Sequence, residues 1–170
     1  MAFKSGGMMT DGNPFIAKVS AADAAATSAP SSFEWTYELV PENVNNEDLY
    51  AEYYKFMGSA RSLRIDSSDN VYAIVGTASS MVKLNGSGVE QWVKYDTTED
   101  KVQMNDLELV SDGIILAGHR YVTLTDEPNN CSINPWKACG TIWGHAYKID
   151  LSGENKAWSQ DYANYAGGVN

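Results

Sequence analysis

One pattern recurs along this chain and restricts its folding more than any single residue does: a short apolar run, a polar turn, a second run, a Gly-bearing turn and a third run. In residues 63–95 it reads Leu63-Arg64-Ile65, then Asp66-Ser67-Ser68-Asp69-Asn70, then Val71-Tyr72-Ala73-Ile74-Val75-Gly76. Thr77 to Ser80 turn, Met81-Val82-Lys83-Leu84 follow, Asn85-Gly86-Ser87-Gly88 reverse the chain, and Val89 to Tyr95 leave. Runs this short, bounded by turn residues, are strands, because no 3.6-residue stripe fits inside them. Residues 107–118 write the first half again, with Asp112-Gly113 in place of Asp69-Asn70, and residues 146–158 repeat Met81 to Trp92. A looser copy runs from Phe15 through Lys18 to Trp35 and Tyr37, across an insertion rich in Ala and Ser. Lys18, Lys83 and Lys148 stand at equal intervals of 65 residues.

Self-similarity at an interval of a few tens of residues marks solenoids, propellers and arrays, and a unit of four short strands points to a propeller blade. A lone four-stranded sheet cannot cover both of its faces, whereas sheets stacked face to face bury them. The expectation is therefore an all-β, propeller-type arrangement of antiparallel four-stranded sheets, with about two and a half units in the chain. Trp35, Trp92 and Trp158 fall at matching places a few residues past each turn, where a flat ring fills the wedge between adjacent sheets. They are read as blade-docking core residues rather than as platforms for a ligand.

The string Lys148-Ile149-Asp150-Leu151-Ser152-Gly153-Glu154-Asn155-Lys156-Ala157-Trp158 and the related Lys83 to Trp92 resemble the repeat of quinoprotein-like β-propellers. In those proteins an outer strand, a turn with Gly and a docking Trp recur. The steps Asp69-Asn70-Val71-Tyr72 and Asp112-Gly113-Ile114-Ile115, each leading into a strand that ends in Gly, are similar to secreted repeat proteins of the same shape. The resemblance covers most of residues 13–165. It departs from WD repeats, since no Trp-Asp pair follows Gly118-His119 or Gly144-His145.

With 170 residues, 44% of them hydrophobic, one domain over residues 1–170 has a core to bury. A ring needs about four to eight blades, so the chain reads as a portion of a larger propeller or as a protomer that finds further sheets elsewhere. Residues 1–13 lack a secretory pattern, and no run approaches the roughly 18 apolar residues of a membrane span. Residues 20–32 read as a loop, with a short Ala-rich helix as the alternative. Two insertions stand out: residues 41–56, where acids interleave with Tyr50, Tyr53, Tyr54 and Phe56, and residues 122–143, which hold both cysteines. A Cys131–Cys139 bond would close a small loop in a segment with little core, which suits an oxidising compartment; two reduced thiols are the competing reading. Asn85-Gly86-Ser87 matches the acceptor pattern for an N-linked sugar and sits in an expected turn.

The chemistry of known catalytic sites is mostly missing. His119 and His145 approach one another across the base of the second insertion in this reading, but two imidazoles are half a zinc site and no further ligand stands at the right spacing. Asp66 to Asn70 lacks the spacing and the closing Glu of a calcium loop, so it reads as a turn held by Asx hydrogen bonds. No nucleophile elbow, phosphate loop or dinucleotide fingerprint occurs. No cofactor is expected: in the family it resembles, a quinone sits on the axis among many blades, and this chain supplies few. With 12 basic against 22 acidic residues, the net charge of -10 repels nucleic acid and anionic membrane. The functional expectation is a non-enzymatic, secreted or cell-surface scaffold that contacts protein or glycan through its insertions, with self-association as a third reading. A fragment of a quinoprotein-like oxidoreductase is the alternative.

Overall fold

The structure, a computed structural model, describes residues 15–30, 32–39, 60–75, 80–94, 102–123 and 140–162. The first sheet pairs β1 (Phe15–Lys18) with β2 (Trp35–Glu38). The second carries β3 (Ser62–Ile65), β4 (Val71–Val75), β5 (Ser80–Leu84) and β6 (Glu90–Lys94) in that spatial order. The third carries β7 (Val102–Val110), β8 (Gly113–Thr123), β9 (Gly140–Ile149) and β10 (Lys156–Tyr162), again neighbour to neighbour. Every pairing is antiparallel. The chain is thus all-β, with two four-stranded sheets of propeller type and one pair of strands, and no barrel closes among the described residues.

Short apolar runs become strands here because β-branched and aromatic residues pack on a pleated surface, and the residues between them close tight turns. One hook closes three of these turns. Asp66 Oδ1 accepts from the backbone N–H of Ser68 (2.8 Å) and Asn70 (2.9 Å). Asn85 Oδ1 accepts from Ser87 and Val89, and Asp150 Oδ1 from Ser152 and Glu154. A carboxylate or amide in that place mimics a backbone turn, which is why these residues recur there. Residues 21–25 form the single helical turn α1, capped by Ser20, whose Oγ accepts from Asp23 N–H at 3.0 Å.

The second sheet is the middle layer. Val71, Ala73, Val75, Val82 and Leu84 pack on Ile16 and Leu39, with Trp35 and Tyr37 against them. Tyr72, Ile74 and Met81 point the other way and pack on Met104, Leu107, Ile114, Leu116, Tyr147 and Ile149 of the third sheet. Residues i and i+2 of a strand share a face, so one strand such as β4 feeds two cores in alternation, and all five of its residues are buried. The first strands of the two large sheets also approach one another. There Arg64 reaches Glu108 (2.9 Å) and Asp106 (3.3 Å), and Ser62 Oγ donates to Asp106 Oδ1 at 2.5 Å.

The β8–β9 ladder runs on to the pair Thr123 and Gly140, so the excursion expected over residues 122–143 starts and ends inside those bounds. Its tip, with Cys131 and Cys139, lies outside the described residues, as does the acidic insertion at 41–56.

Candidate interaction face

Trp92 and Trp158 each follow a slip in strand register. Glu90 pairs with Leu84 but Trp92 with Lys83, so Gln91 is an extra residue; likewise Lys156 pairs with Ile149 but Trp158 with Lys148, leaving Ala157 extra. A β-bulge of this kind breaks the two-residue alternation. Without it Trp92 would share the face of Leu84, toward the first sheet. With it the indole joins Lys83 and Tyr72 on the face that meets the third sheet, and its ring packs edge-on to Tyr72 (centroids 6.3 Å apart, 63° between planes).

The three tryptophans then differ in what lies beyond them. Trp35 lies over the turn of the second sheet: its Nε1–H donates to Gly86 O (3.1 Å), and a Cβ on Gly88 would stand 2.5 Å from the ring. Gly88 has φ of 79°, a left-handed backbone that glycine adopts without strain. Trp92 packs against the shared core of the second and third sheets and borders Gly153, in the corresponding turn of the third sheet. Two residues on, Tyr37 donates to Glu90 (2.6 Å) and Lys94 pairs with Glu154. Trp158 is 40% exposed.

The surroundings of Trp158 follow from register. Val71 and Ile114 begin corresponding strands, so Tyr72, Ile74, Met81, Lys83 and Trp92 have Ile115, Ala117, Ala146, Lys148 and Trp158 as counterparts. The first set is the face by which the second sheet docks on the third. The second set is the outer face of the third sheet, and it lies open: Ala117, Trp158 and Tyr162 are exposed, Ile115 and Ala146 half-buried. Ile74 is 0% and Met81 2% exposed, and alanines stand in their places.

The other candidates fall elsewhere. His119 pairs with Gly144, and His145 with Gly118. The two imidazoles therefore project from opposite faces of the sheet and do not approach one another, contrary to the expectation of a meeting at the base of the excursion. His119 Nδ1 lies 3.4 Å from Asn105 Nδ2, and burial, with Arg61 nearby, holds its pKa below the ordinary 6.5. His145 is 3% exposed; its Nδ1 meets Asp161 Oδ1 at 2.5 Å, and Asp161 accepts from Arg120 at 3.0 Å. Ser159 Oγ lies 3.4 Å from His145 Nε2. Serine, histidine and aspartate in that order suggest a nucleophile, but the serine contact is long and Arg120 shares the carboxylate. The arrangement ties β8, β9 and β10 together as a cross-strand brace.

Asn85 is half-buried, with its Oδ1 engaged by the turn. Asp66 to Asn70 form an Asx turn. No group of three or more His, Cys, Asp or Glu side chains is placed to hold a metal among the described residues, and no helix there is long and apolar enough to cross a membrane. Sequence reasoning missed Ile115, Ala117, Ala146 and Tyr162 as parts of one face; the signal for it was alanine at 117 and 146, where the earlier copy has Ile74 and Met81. No known protein family, curated protein or solved structure matches the chain.

Proposed function

We propose that this chain is a non-enzymatic, secreted or cell-surface scaffold of propeller-type sheets that binds protein through the outer face of its third sheet. Residues 41–56 and the tip of the 122–143 excursion belong to the same reading, as loops that contact protein or glycan from a rigid frame. A Cys131–Cys139 bond and a sugar on Asn85 are its chemical corollaries, checked by thiol titration of the unreduced chain and by a glycosidase mass shift. The observation that carries the reading is Trp158: its counterparts Trp35 and Trp92 lie against the next sheet, and it lies against none of the described ones. Exposed aromatic residues grouped on a sheet mark an interaction surface.

The test places a photo-crosslinking phenylalanine at position 158 and, as a control, at exposed Val89 in the turn of the second sheet. Protein adducts formed at 158 and not at 89, in the concentrated pure chain or in a cell extract, are the expected result. Equal or absent crosslinking at 158 overturns the proposal, and the absorbance of a bound quinone in purified protein would put the oxidoreductase reading in its place.

A further inference from the structure

Resting on that scaffold reading, the geometry points to one occupant for the open face: the same face of a second copy of this chain, packed about a two-fold axis. The first support is continuity. The counterpart positions in the second sheet already form an interface between sheets of this chain, there with the unlike face of the third, so the outer face of the third stands where a surface packs sheet on sheet, and its altered shape decides which face it meets.

The second support is shape. Where the second sheet has Ile74 and Met81, the third has Ala117 and Ala146, paired across β8 and β9, with Gly144 the next residue of the row along β9. Among the described residues a Cβ added to Gly144 would meet only Tyr162 atoms, at 3.5 and 3.7 Å, which is ordinary contact. Trp158 and Tyr162 stand beside this row on the edge strand β10, Tyr162 being 56% exposed. One face thus carries an aromatic ridge and a shallow trough side by side. A two-fold rotation lays the ridge of each copy in the trough of the other, which is the self-complementarity that a symmetric interface requires. A sheet of the ordinary kind, with large side chains at the alanine positions, has no such trough.

The third support is charge. The chain carries -10 overall, which opposes self-association. Around this face three acids among the described residues are already engaged: Asp106 and Glu108 by Arg64, and Asp112 by Lys148 at 2.6 Å. Pairing within each copy lowers the repulsion that these three carboxylates would bring to a meeting of two copies.

Sedimentation or light scattering of the pure chain, from about 1 to about 100 μM, reads the mass directly. Twice the chain mass at the upper end is expected. Ala117→Arg fills the trough and Trp158→Lys removes the ridge; each should return the monomer, with circular dichroism and thermal midpoint as in the parent chain. A crosslinker at position 158 should then give self-adducts on the peptides that hold Ala117 or Ala146. A monomer at 100 μM overturns the second-copy proposal, as does a dimer that survives both substitutions. If position 158 still crosslinks to a different protein, the scaffold reading stands while this one falls; if it crosslinks to nothing, both fall.

Discussion

At the scale of single residues, equivalent tryptophans have unequal polar ends. Trp35 Nε1–H has a carbonyl partner, whereas Trp92 Nε1 is buried with no partner among the described residues. A made hydrogen bond contributes about 0.5–1.5 kcal/mol, and a buried orphan donor costs about 1–3 kcal/mol. Trp35→Phe and Trp92→Phe remove the same atoms, so urea denaturation should show the first to be more destabilising, by about 1.5–4.5 kcal/mol on those figures. The carboxylates give a second prediction. The hydrogen bond from Ser62 holds Asp106 below its ordinary 3.8, with Leu107 N–H and Arg64 adding to it against burial. Burial pushes Asp66 up, but the side chain and backbone of Asn70 and the N–H of Ser68 outweigh it, and the net direction is down. The unfolded chain therefore binds protons near 3.8 that the folded chain refuses, so this stability is complete above that value and is lost as pH falls through the lower folded values. His119 acts in the same direction at higher pH: its contribution is full above 6.5 and is lost as pH falls below it. The denaturation midpoint should decline slightly below pH 6.5 and steeply below about 4, and Asp106→Asn should flatten the steep part.

At the scale of elements, the β7–β8–β9 sheet is sensitive to backbone clearance. A Cβ on Gly118 would stand 2.0 Å from Gln103 O and 2.6 Å from Met104 Cα, because β7 bulges toward it where Asn105 is the extra residue. The obstacle is backbone, so Gly118→Ala should cost about 2–4 kcal/mol, read as a lowered thermal midpoint. The hairpins themselves were legible in the sequence, since turn residues and short apolar runs are local signals: Val71 to Gly76 and Met81 to Leu84 were expected as strands, and β4 and β5 lie there. The register was not legible. A bulge depends on how two strands meet, so the extra Gln91 and Ala157 leave no mark in composition. The same is true of the two histidines, which adjoin glycines alike in sequence and leave the sheet on opposite sides because β8 and β9 pair them one residue out of step. The open face was half legible: the copies could be laid over one another, but which face Ile115 and Trp158 occupy depends on the register.

At the scale of the whole molecule, the layers are not equal. The second sheet is covered on both faces, the third is open on one. Amides protected from both sides open only with the global unfolding, whereas edge and open-faced strands exchange through smaller events. Hydrogen exchange should be slowest in β4 and β5 and fastest, among the strands of the third sheet, in β10; the reverse order would contradict the layered core. The bulge at Gln91 has a consequence of its own. Losing that one codon would join Trp92 directly to Glu90, which restores strict alternation with Glu90 still opposite Leu84 and the indole still opposite Lys83, so the joint with the third sheet keeps its ring. The same loss at Ala157 would likewise leave the Trp158 ring opposite Lys148. A lost residue inside a strand ordinarily turns every later side chain over; these two codons should each be dispensable, and both shortened chains should be recovered folded and soluble.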